Sequence, residues 1–187
     1  KVCKERGVYL FLDGARLGYG LMCKENDLTL PDITKNTDVF YIGGTKVGAL
    51  FGEAVVICNN ELKKDFRYNI KQRGGMLAKG RLLGIQFQTL FEENRYFEIS
   101  AHAARLAEKM KEELTKMGVS FYIDSPSNQQ FPILPDEVLE KLKTKYSYTY
   151  QARMDDTHSA VRFCTSWATK EENVDMLLAD IAAIIGK

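Results

Sequence analysis

The chain has 187 residues, with 26 basic and 25 acidic side chains and a net charge of +1, so its charge gives no reason to expect nucleic acid or an anionic membrane as a partner. Its four cysteines form no CxxC pair and its two histidines complete no zinc-ligand pattern, so we expect no metal site. Apolar residues make up 45% of the chain, but no apolar run approaches the ~20 residues that cross a bilayer. The scattered cysteines are typical of reduced thiols and favour a cytoplasmic protein.

The first part of the chain shows an α/β pattern. Apolar runs rich in β-branched and aromatic residues predict strands at 8–12, 39–42 and 54–57, the last two buried on both faces. Three strands with few helices cannot cover both faces of a sheet, so we expect partner strands upstream. The abrupt opening "KVCKERG", without a methionine, also suggests a piece of a longer protein.

Residues between and after these strands predict a turn and a helix. Pro31 and Asp32 predict a turn before the second strand. Asn60 predicts the N-cap of a helix that runs towards Arg73, where glycines end it.

The stretch from residue 79 to residue 117 is predicted to be helical, because it contains no proline and places apolar residues three and four positions apart. Its length favours two helices or one bent helix, with the bend at residues 94–100. Gly118 stands where a helix C-cap belongs.

The residues after Gly118 mix short strands and helices. We predict strands at 119–123 and 130–134, a helix at 135–145, a hairpin of strands at 148–153 and 160–164, and a final helix that ends at Ile185. Thr169 and Glu172 form a capping-box pattern for that last helix. The predicted organisation is part of an α/β domain at 1–75, linking helices at 76–117 and a smaller α+β domain at 118–187.

Three polar side chains follow the first two predicted strands. Asp13 and Arg16 come directly after the first strand, and Lys46 lies in the glycine-rich loop after the second. Ligands of open α/β sheets collect at the carboxyl ends of strands. A lysine that forms a Schiff base, with a carboxylate that keeps a pyridine nitrogen protonated, suits pyridoxal phosphate. By spacing alone, a salt bridge between Asp13 and Arg16 in a surface loop is the more common explanation.

The motifs around these residues resemble a known family. "LFLDGARL" followed by "FYIGGTKVGALFGEAVVI" is similar to the threonine aldolase family, in the aromatic amino acid β-eliminating lyase group of fold-type I pyridoxal-phosphate enzymes. "SAVRFCTSWATKEENVDMLL" resembles the family's C-terminal strand and helix. The likeness spans nearly the whole chain but only the later half of a family member. It implies an aspartate aminotransferase-like fold, with a partial large domain and a C-terminal small domain.

The resemblance also implies roles for four residues. Lys46 would form the Schiff base with pyridoxal 5'-phosphate, Asp13 would bind the pyridine nitrogen, and Arg16 would contact the phenolic oxygen. Arg162, in "VRFCTSW", would pair bidentately with the substrate α-carboxylate, a geometry that suits a guanidinium fork. By residue type alone, an arginine in the position of Arg162 is more often part of a strand-edge salt bridge.

The implied reaction cleaves the Cα–Cβ bond of a β-hydroxy-α-amino acid such as L-threonine, giving glycine and an aldehyde. The catalytic base would lie upstream, and the family implies a homodimer or homotetramer. One alternative is another fold-type I reaction on the same cofactor, either β-elimination or transamination. Another is a cofactor-free α/β module with an assembly or regulatory role.

The remaining polar residues are weaker candidates. The stretch "IKQRGGMLAKGRLLG" resembles the family's segment whose basic residues reach the cofactor phosphate, but it is equally typical of a solvated helix end. The basic residues in it are Lys71, Arg73, Lys79 and Arg81. We interpret Tyr41 and Trp167 as packing residues, His102 as a packing or surface residue, and His158 as part of a hairpin turn.

Overall fold

The computed structural model describes residues 1–186, which form two compact units. The first unit comprises Lys1–Leu21 and Asn26–Ile99, and the second comprises Met22–Glu25 and the chain from Ser100 onward. The division into segments 1–75, 76–117 and 118–187 stays a prediction. Among the described residues, no helix combines the length and the apolar character needed to cross a membrane.

The first unit contains a three-stranded sheet and several short helices. In chain order its elements are α1 (Val2–Glu5), β1 (Phe11–Leu12), α2 (Leu17–Leu21), α3 (Leu30–Asn36), β2 (Val39–Gly43), β3 (Glu53–Ile57), a 3-10 helix (Asn60–Lys63), α4 (Phe66–Gln72), α5 (Arg81–Phe91) and a second 3-10 helix (Glu92–Asn94). The strand order is β1-β2-β3, with β1 parallel and β3 antiparallel to β2. All three predicted strands are present, although the first is shortened to two residues.

The prediction that both later strands are buried on both faces is wrong for β3. Side chains alternate across a strand, and among the described residues β3 pairs with β2 alone. Its alternate residues Glu53 and Val55 are exposed, Val55 by 52% of its surface.

The predicted turn at Pro31 and Asp32 is also wrong, because these residues open helix α3. Proline fits the first turn of a helix, where its missing N–H has no intrahelical partner in any case. Asp32 completes a capping box, since its Oδ2 accepts the backbone N–H of Thr29 at 2.9 Å. The same residue types that mark turns therefore mark a helix start here.

The helix predicted from Asn60 is divided into two pieces. Asn59, not Asn60, is its cap, because the Asn59 side chain accepts the N–H of Glu61 at 3.0 Å. The 3-10 piece ends before Asp65, whose φ of +56° starts a new helix, α4. Gly74 follows α4 with a φ of +75°, as expected of a helix-ending glycine.

The long helical stretch is two helices, which is one of the two predicted alternatives. Helix α6 (Arg95–Lys116) follows α5 after the 3-10 helix, where Glu93 and Asn94 have φ values of +54° and +60°. The break thus falls at 92–94, at the leading edge of the predicted bend at 94–100. Gly118 ends α6 with a φ of +81°.

In the second unit, α6 is followed by an antiparallel sheet and two further helices. Its further elements are β4 (Phe121–Ile123), β5 (Gln129–Pro135), α7 (Asp136–Leu142), β6 (Thr149–Arg153), β7 (His158–Cys164) and α8 (Glu171–Ile185). The strand order is β4-β5-β7-β6, and the predicted hairpin of the last two strands is confirmed. The capping box is wrong, because the Thr169 hydroxyl accepts the N–H of Ser166 at 2.8 Å while Lys170 precedes α8.

Helix α6 supplies the centre of the second unit's core. Its buried residues Leu106, Met110 and Leu114 recur every four positions and form one apolar stripe. The stripe packs in one cluster with residues of the sheet, α7 and α8, namely Leu134, Val138, Leu139, Leu142, Val161, Phe163, Val174, Leu177, Leu178 and Ile181. Burying each such side chain contributes roughly 1.5–3 kcal/mol.

Candidate active site

The turn after β1 is held tightly against the end of β2. The carbonyl of Gly14 accepts the N–H of Gly43 at 2.9 Å. A Cβ at Gly14 would lie 1.7 Å from the carbonyl oxygen of Tyr41, and one at Gly43 would lie 2.4 Å from that of Ala15. Both positions therefore require glycine because backbone atoms leave no room for a side chain. The close approach fixes the position of the neighbouring Asp13.

Lys46 lies in the loop between β2 and β3. The carbonyl of Gly44 accepts the N–H groups of Val47 and Ala49 at 2.9 and 3.0 Å, which makes the loop compact. The side chain of Val47 is fully buried, whereas that of Lys46 is exposed. The buried Tyr19 donates its hydroxyl to the Lys46 carbonyl, so the backbone is anchored while the amine faces outward.

Asp13 stands at the centre of the local electrostatics. Its Oδ1 accepts the hydroxyl of Tyr41, and also the N–H of Ala15 at 3.1 Å. These hydrogen bonds lower the pKa of the Asp13 carboxyl, the Tyr41 bond most, and the charges of Lys46 and Arg16 lower it further. Asp13 is therefore an ionised, exposed carboxylate within electrostatic reach of two cations.

The structure thus brings three of the four predicted residues into one cluster in the first unit. Arg16 follows the turn and is half-buried, and its charge and that of Lys46 act on Asp13. The fourth residue, Arg162, belongs to the second unit.

Arg162 lies on β7 and is partly held by its neighbours. Its Nη1 donates to Oε1 of Gln129 at 3.1 Å, and its Nη2 lies 3.5 Å from the hydroxyl of Thr149. Its Nε is buried and has no hydrogen-bond partner among the described residues. A buried N–H without a partner is costly, so this guanidinium retains capacity to bind an anion.

The interpretation of Tyr41 as a packing residue missed its hydrogen bond to Asp13. The signal in the sequence was weak, because the two residues are 28 positions apart. Phe11, two residues before Asp13, lies against the Tyr41 ring with a centroid distance of 6.0 Å.

Tyr96 is a second residue near the candidate site that the sequence motifs did not identify. Its buried hydroxyl accepts the N–H of Gly18 at 3.1 Å and donates to the carbonyl of Gly43 at 3.0 Å. Burial raises the pKa of Tyr96, so the hydroxyl stays protonated. It ties helix α2 to the end of β2, directly before the Lys46 loop.

The weaker candidates lie in ordinary surroundings. The four basic residues at 71–81 are exposed, and their contact with a phosphate stays a prediction. A ring nitrogen of His102 lies 2.8 Å from the carbonyl of Thr169, and His158 lies beside Asp155 at the hairpin turn. A cavity of about 530 Å³ in the second unit is lined by other residues, among them Lys111.

Comparison with known proteins shows what the chain is similar to. No protein-family model matches it. The chain is 33% identical to the low specificity L-threonine aldolase of a Pseudomonas species, covering 98% of this chain and 52% of that protein. It is 31% identical to the Pseudomonas aeruginosa protein of the same name, covering 98% and 53% respectively. The chain therefore spans about half the length of the curated relatives it matches.

Solved structures agree with this result. A threonine aldolase of Leishmania major matches with a TM-score of 0.95 and 44% identity, over 98% of this chain and 54% of that one. Serine palmitoyltransferase of Sphingomonas wittichii matches with a TM-score of 0.68 at 14% identity, over 97% of this chain and 48% of that one, which is a likeness of fold alone. The resemblance to threonine aldolases and the fold-type I architecture expected from the sequence are confirmed.

Proposed function

We propose that this chain, similar along almost its whole length to threonine aldolases, is part of a pyridoxal-phosphate-dependent lyase that cleaves β-hydroxy-α-amino acids. The reaction converts a substrate such as L-threonine into glycine and an aldehyde. The observation that carries the proposal is the ionised Asp13 carboxylate grouped with Lys46 and Arg16 beside the ends of two parallel strands. The likeness to low specificity L-threonine aldolases supports this reaction rather than another of the same fold.

The donor set of the cluster fits pyridoxal phosphate. An exposed primary amine on an anchored backbone is what an aldehyde requires, and Lys46 supplies it. A carboxylate with a lowered pKa suits a protonated ring nitrogen, and Asp13 supplies that group. Arg16 would hold the phenolic oxygen. When bound, the cofactor supplies an aldehyde and an electron-withdrawing ring that accepts an electron pair from the substrate Cα.

Arg162 would bind the substrate α-carboxylate. Its guanidinium offers a bidentate fork, and its Nε has no hydrogen-bond partner among the described residues, which leaves capacity for an anion. In the overall reaction the β-hydroxyl loses its proton, the Cα–Cβ bond breaks, and a proton is added at Cα. Threonine equals glycine plus acetaldehyde in atoms, so the reaction consumes no water, oxidant or reductant.

The test uses the full-length protein, meaning the protein at its natural length, incubated with pyridoxal phosphate and reduced with borohydride. We expect a phosphopyridoxyl group on Lys46 by mass spectrometry and release of acetaldehyde from L-threonine. Lys46→Ala should lose both, whereas Lys35→Ala, which removes an exposed lysine of α3, should keep both. A label that survives in Lys46→Ala would reject the lysine assignment.

Two other outcomes identify the alternatives. A labelled protein that releases no acetaldehyde would indicate β-elimination or transamination, which further amino-acid substrates would separate. A wild-type protein that takes no label would favour a cofactor-free module with an assembly or regulatory role.

We further propose that the protein is a cytoplasmic homodimer or homotetramer. The family resemblance supports the assembly, and the scattered cysteines support the location. Sedimentation of the full-length protein would contradict the assembly if it gave a monomer at all concentrations tested.

A further inference from the structure

The hydroxyl of Tyr41 reaches the one carboxylate on which the candidate site depends. Strands β1 and β2 are paired in parallel, with Leu12 opposite Phe40, so the next residues along, Asp13 and Tyr41, stand side by side. The Tyr41 hydroxyl donates a hydrogen bond to Oδ1 of Asp13. Its ring is partly buried and lies 6.0 Å from the ring of Phe11 by centroids, which restrains its orientation.

The two oxygens of Asp13 have different surroundings. Oδ1 accepts two hydrogen bonds, one from Tyr41 on the neighbouring strand and one from the N–H of Ala15 at 3.1 Å. Oδ2 accepts no hydrogen bond from any residue in the described part of the chain. Two donors on one oxygen fix the rotation of the carboxylate group and leave the other oxygen available as an acceptor.

We propose that Tyr41 is a positioning residue, which orients the Asp13 carboxylate so that Oδ2 accepts the N–H of the cofactor's pyridine ring. The inference rests on the proposed function, because it assumes that Asp13 binds the ring nitrogen. Tyr41 acts through Asp13 and is not itself a catalytic residue.

Loss of the Tyr41 hydroxyl is expected to change the pKa of the Asp13 carboxyl. The Tyr41 hydrogen bond is the largest cause of the lowered pKa of Asp13, and the charges of Lys46 and Arg16 lower it less. Glu53 on β3 acts on the Tyr41 hydroxyl, whose pKa is raised chiefly by its bond to Asp13. Without that bond the pKa of Asp13 rises towards its ordinary value. During acidification the carboxylate therefore becomes protonated at a higher pH in the variant than in the wild type.

The experiment measures cofactor binding by equilibrium dialysis, with the full-length protein and its Tyr41→Phe variant, from neutral pH down to about pH 4. We expect Tyr41→Phe to bind pyridoxal phosphate roughly ten-fold more weakly at neutral pH, as loss of a hydrogen bond to a charged group predicts. We also expect the pH below which affinity falls to move upward. Tyr9→Phe is the matched control, because the Tyr9 hydroxyl lies 3.5 Å from the carboxylate of Glu61, away from Asp13.

Three results would overturn the inference. The first is a Tyr41→Phe protein that borohydride still labels on Lys46 but whose affinity for pyridoxal phosphate is unchanged, and whose affinity falls at the same pH as that of the wild type. That result would reject the role of Tyr41 while the proposed function stands. The second is a Tyr41→Phe protein that melts at a lower temperature but whose affinity falls at the same pH as that of the wild type. That result would make Tyr41 a structural residue only. Absence of label on Lys46 in the wild-type protein would overturn both the inference and the proposed function.

Discussion

Replacing Gly14 by alanine is expected to destabilise the protein and weaken cofactor binding together. The new Cβ would lie 1.7 Å from the carbonyl oxygen of Tyr41 and 2.9 Å from its carbonyl carbon. Non-bonded heavy atoms prefer separations of about 3.5 Å, so the turn and the strand must part by more than about 1 Å. Because both obstacles are backbone atoms, no change of side-chain rotamer relieves the overlap.

The cost is set by how much of the local structure must move. Overpacking costs typically 1–3 kcal/mol, and we expect about 3 kcal/mol here because the obstacle is rigid. For a chain of this size that corresponds to a fall in melting temperature of roughly 6–12 °C, and of less in a larger protein. The hydrogen bond from Gly43 to the Gly14 carbonyl, now 2.9 Å, would lengthen and displace Asp13.

The assay is thermal unfolding of the full-length protein followed by circular dichroism, together with dialysis against pyridoxal phosphate. Gly20→Ala is the matched control, because Gly20 lies in helix α2 and its Cβ would meet no atom within 4 Å. We expect that control to be neutral or stabilising by about 0.5–1 kcal/mol. A Gly14→Ala protein that melts and binds cofactor like the wild type would refute the close approach of turn and strand.

Two further predictions concern the second unit. Arg162→Lys should raise the KM for L-threonine by roughly ten-fold or more, because an ammonium cannot make the bidentate pair, and steady-state kinetics should show no such rise in Arg105→Lys, a surface ion-pair variant. Asp155→Ala should lower the melting temperature at neutral pH, because the N–H of Thr157 is the largest cause that lowers the pKa of Asp155 to about 2. A group whose pKa is lower in the folded state stabilises the fold at pH values above its ordinary pKa, which is about 3.9 for aspartate. The difference in melting temperature between Asp155→Ala and the wild type should therefore narrow as the pH falls towards 2. A difference that stays constant over that range would contradict the assignment.

The sequence by itself determined the elements with a strong local signal. Apolar runs predicted the strands, and three- and four-residue spacing predicted the helical stretch that contains α6. The structure shows that the buried stripe of α6 is Leu106, Met110 and Leu114. Such patterns are local because they follow from the periodicities of the strand and the helix. The local errors also have a local cause. Proline and threonine serve in turns and in helix caps alike, so Pro31, which opens a helix, was assigned to a turn, and Thr169, which lies in a turn, was assigned to a cap. Asn60 was one residue away from the actual cap, Asn59.

The order of strands and polar residues raised Asp13 and Lys46 as candidates, and the resemblance to threonine aldolases supplied their predicted roles. The tertiary structure alone decided what surrounds them. Pairing β1 with β2 places Tyr41 beside Asp13, which is 28 positions away in the sequence. The hydrogen bond from Tyr96 to the Gly43 carbonyl spans 53 positions. Such contacts depend on which strands pair and in which register, and no local periodicity encodes that choice. Gly14 shows the same division: its place in a motif is visible in the sequence, but only the packed backbone shows why a side chain cannot fit there.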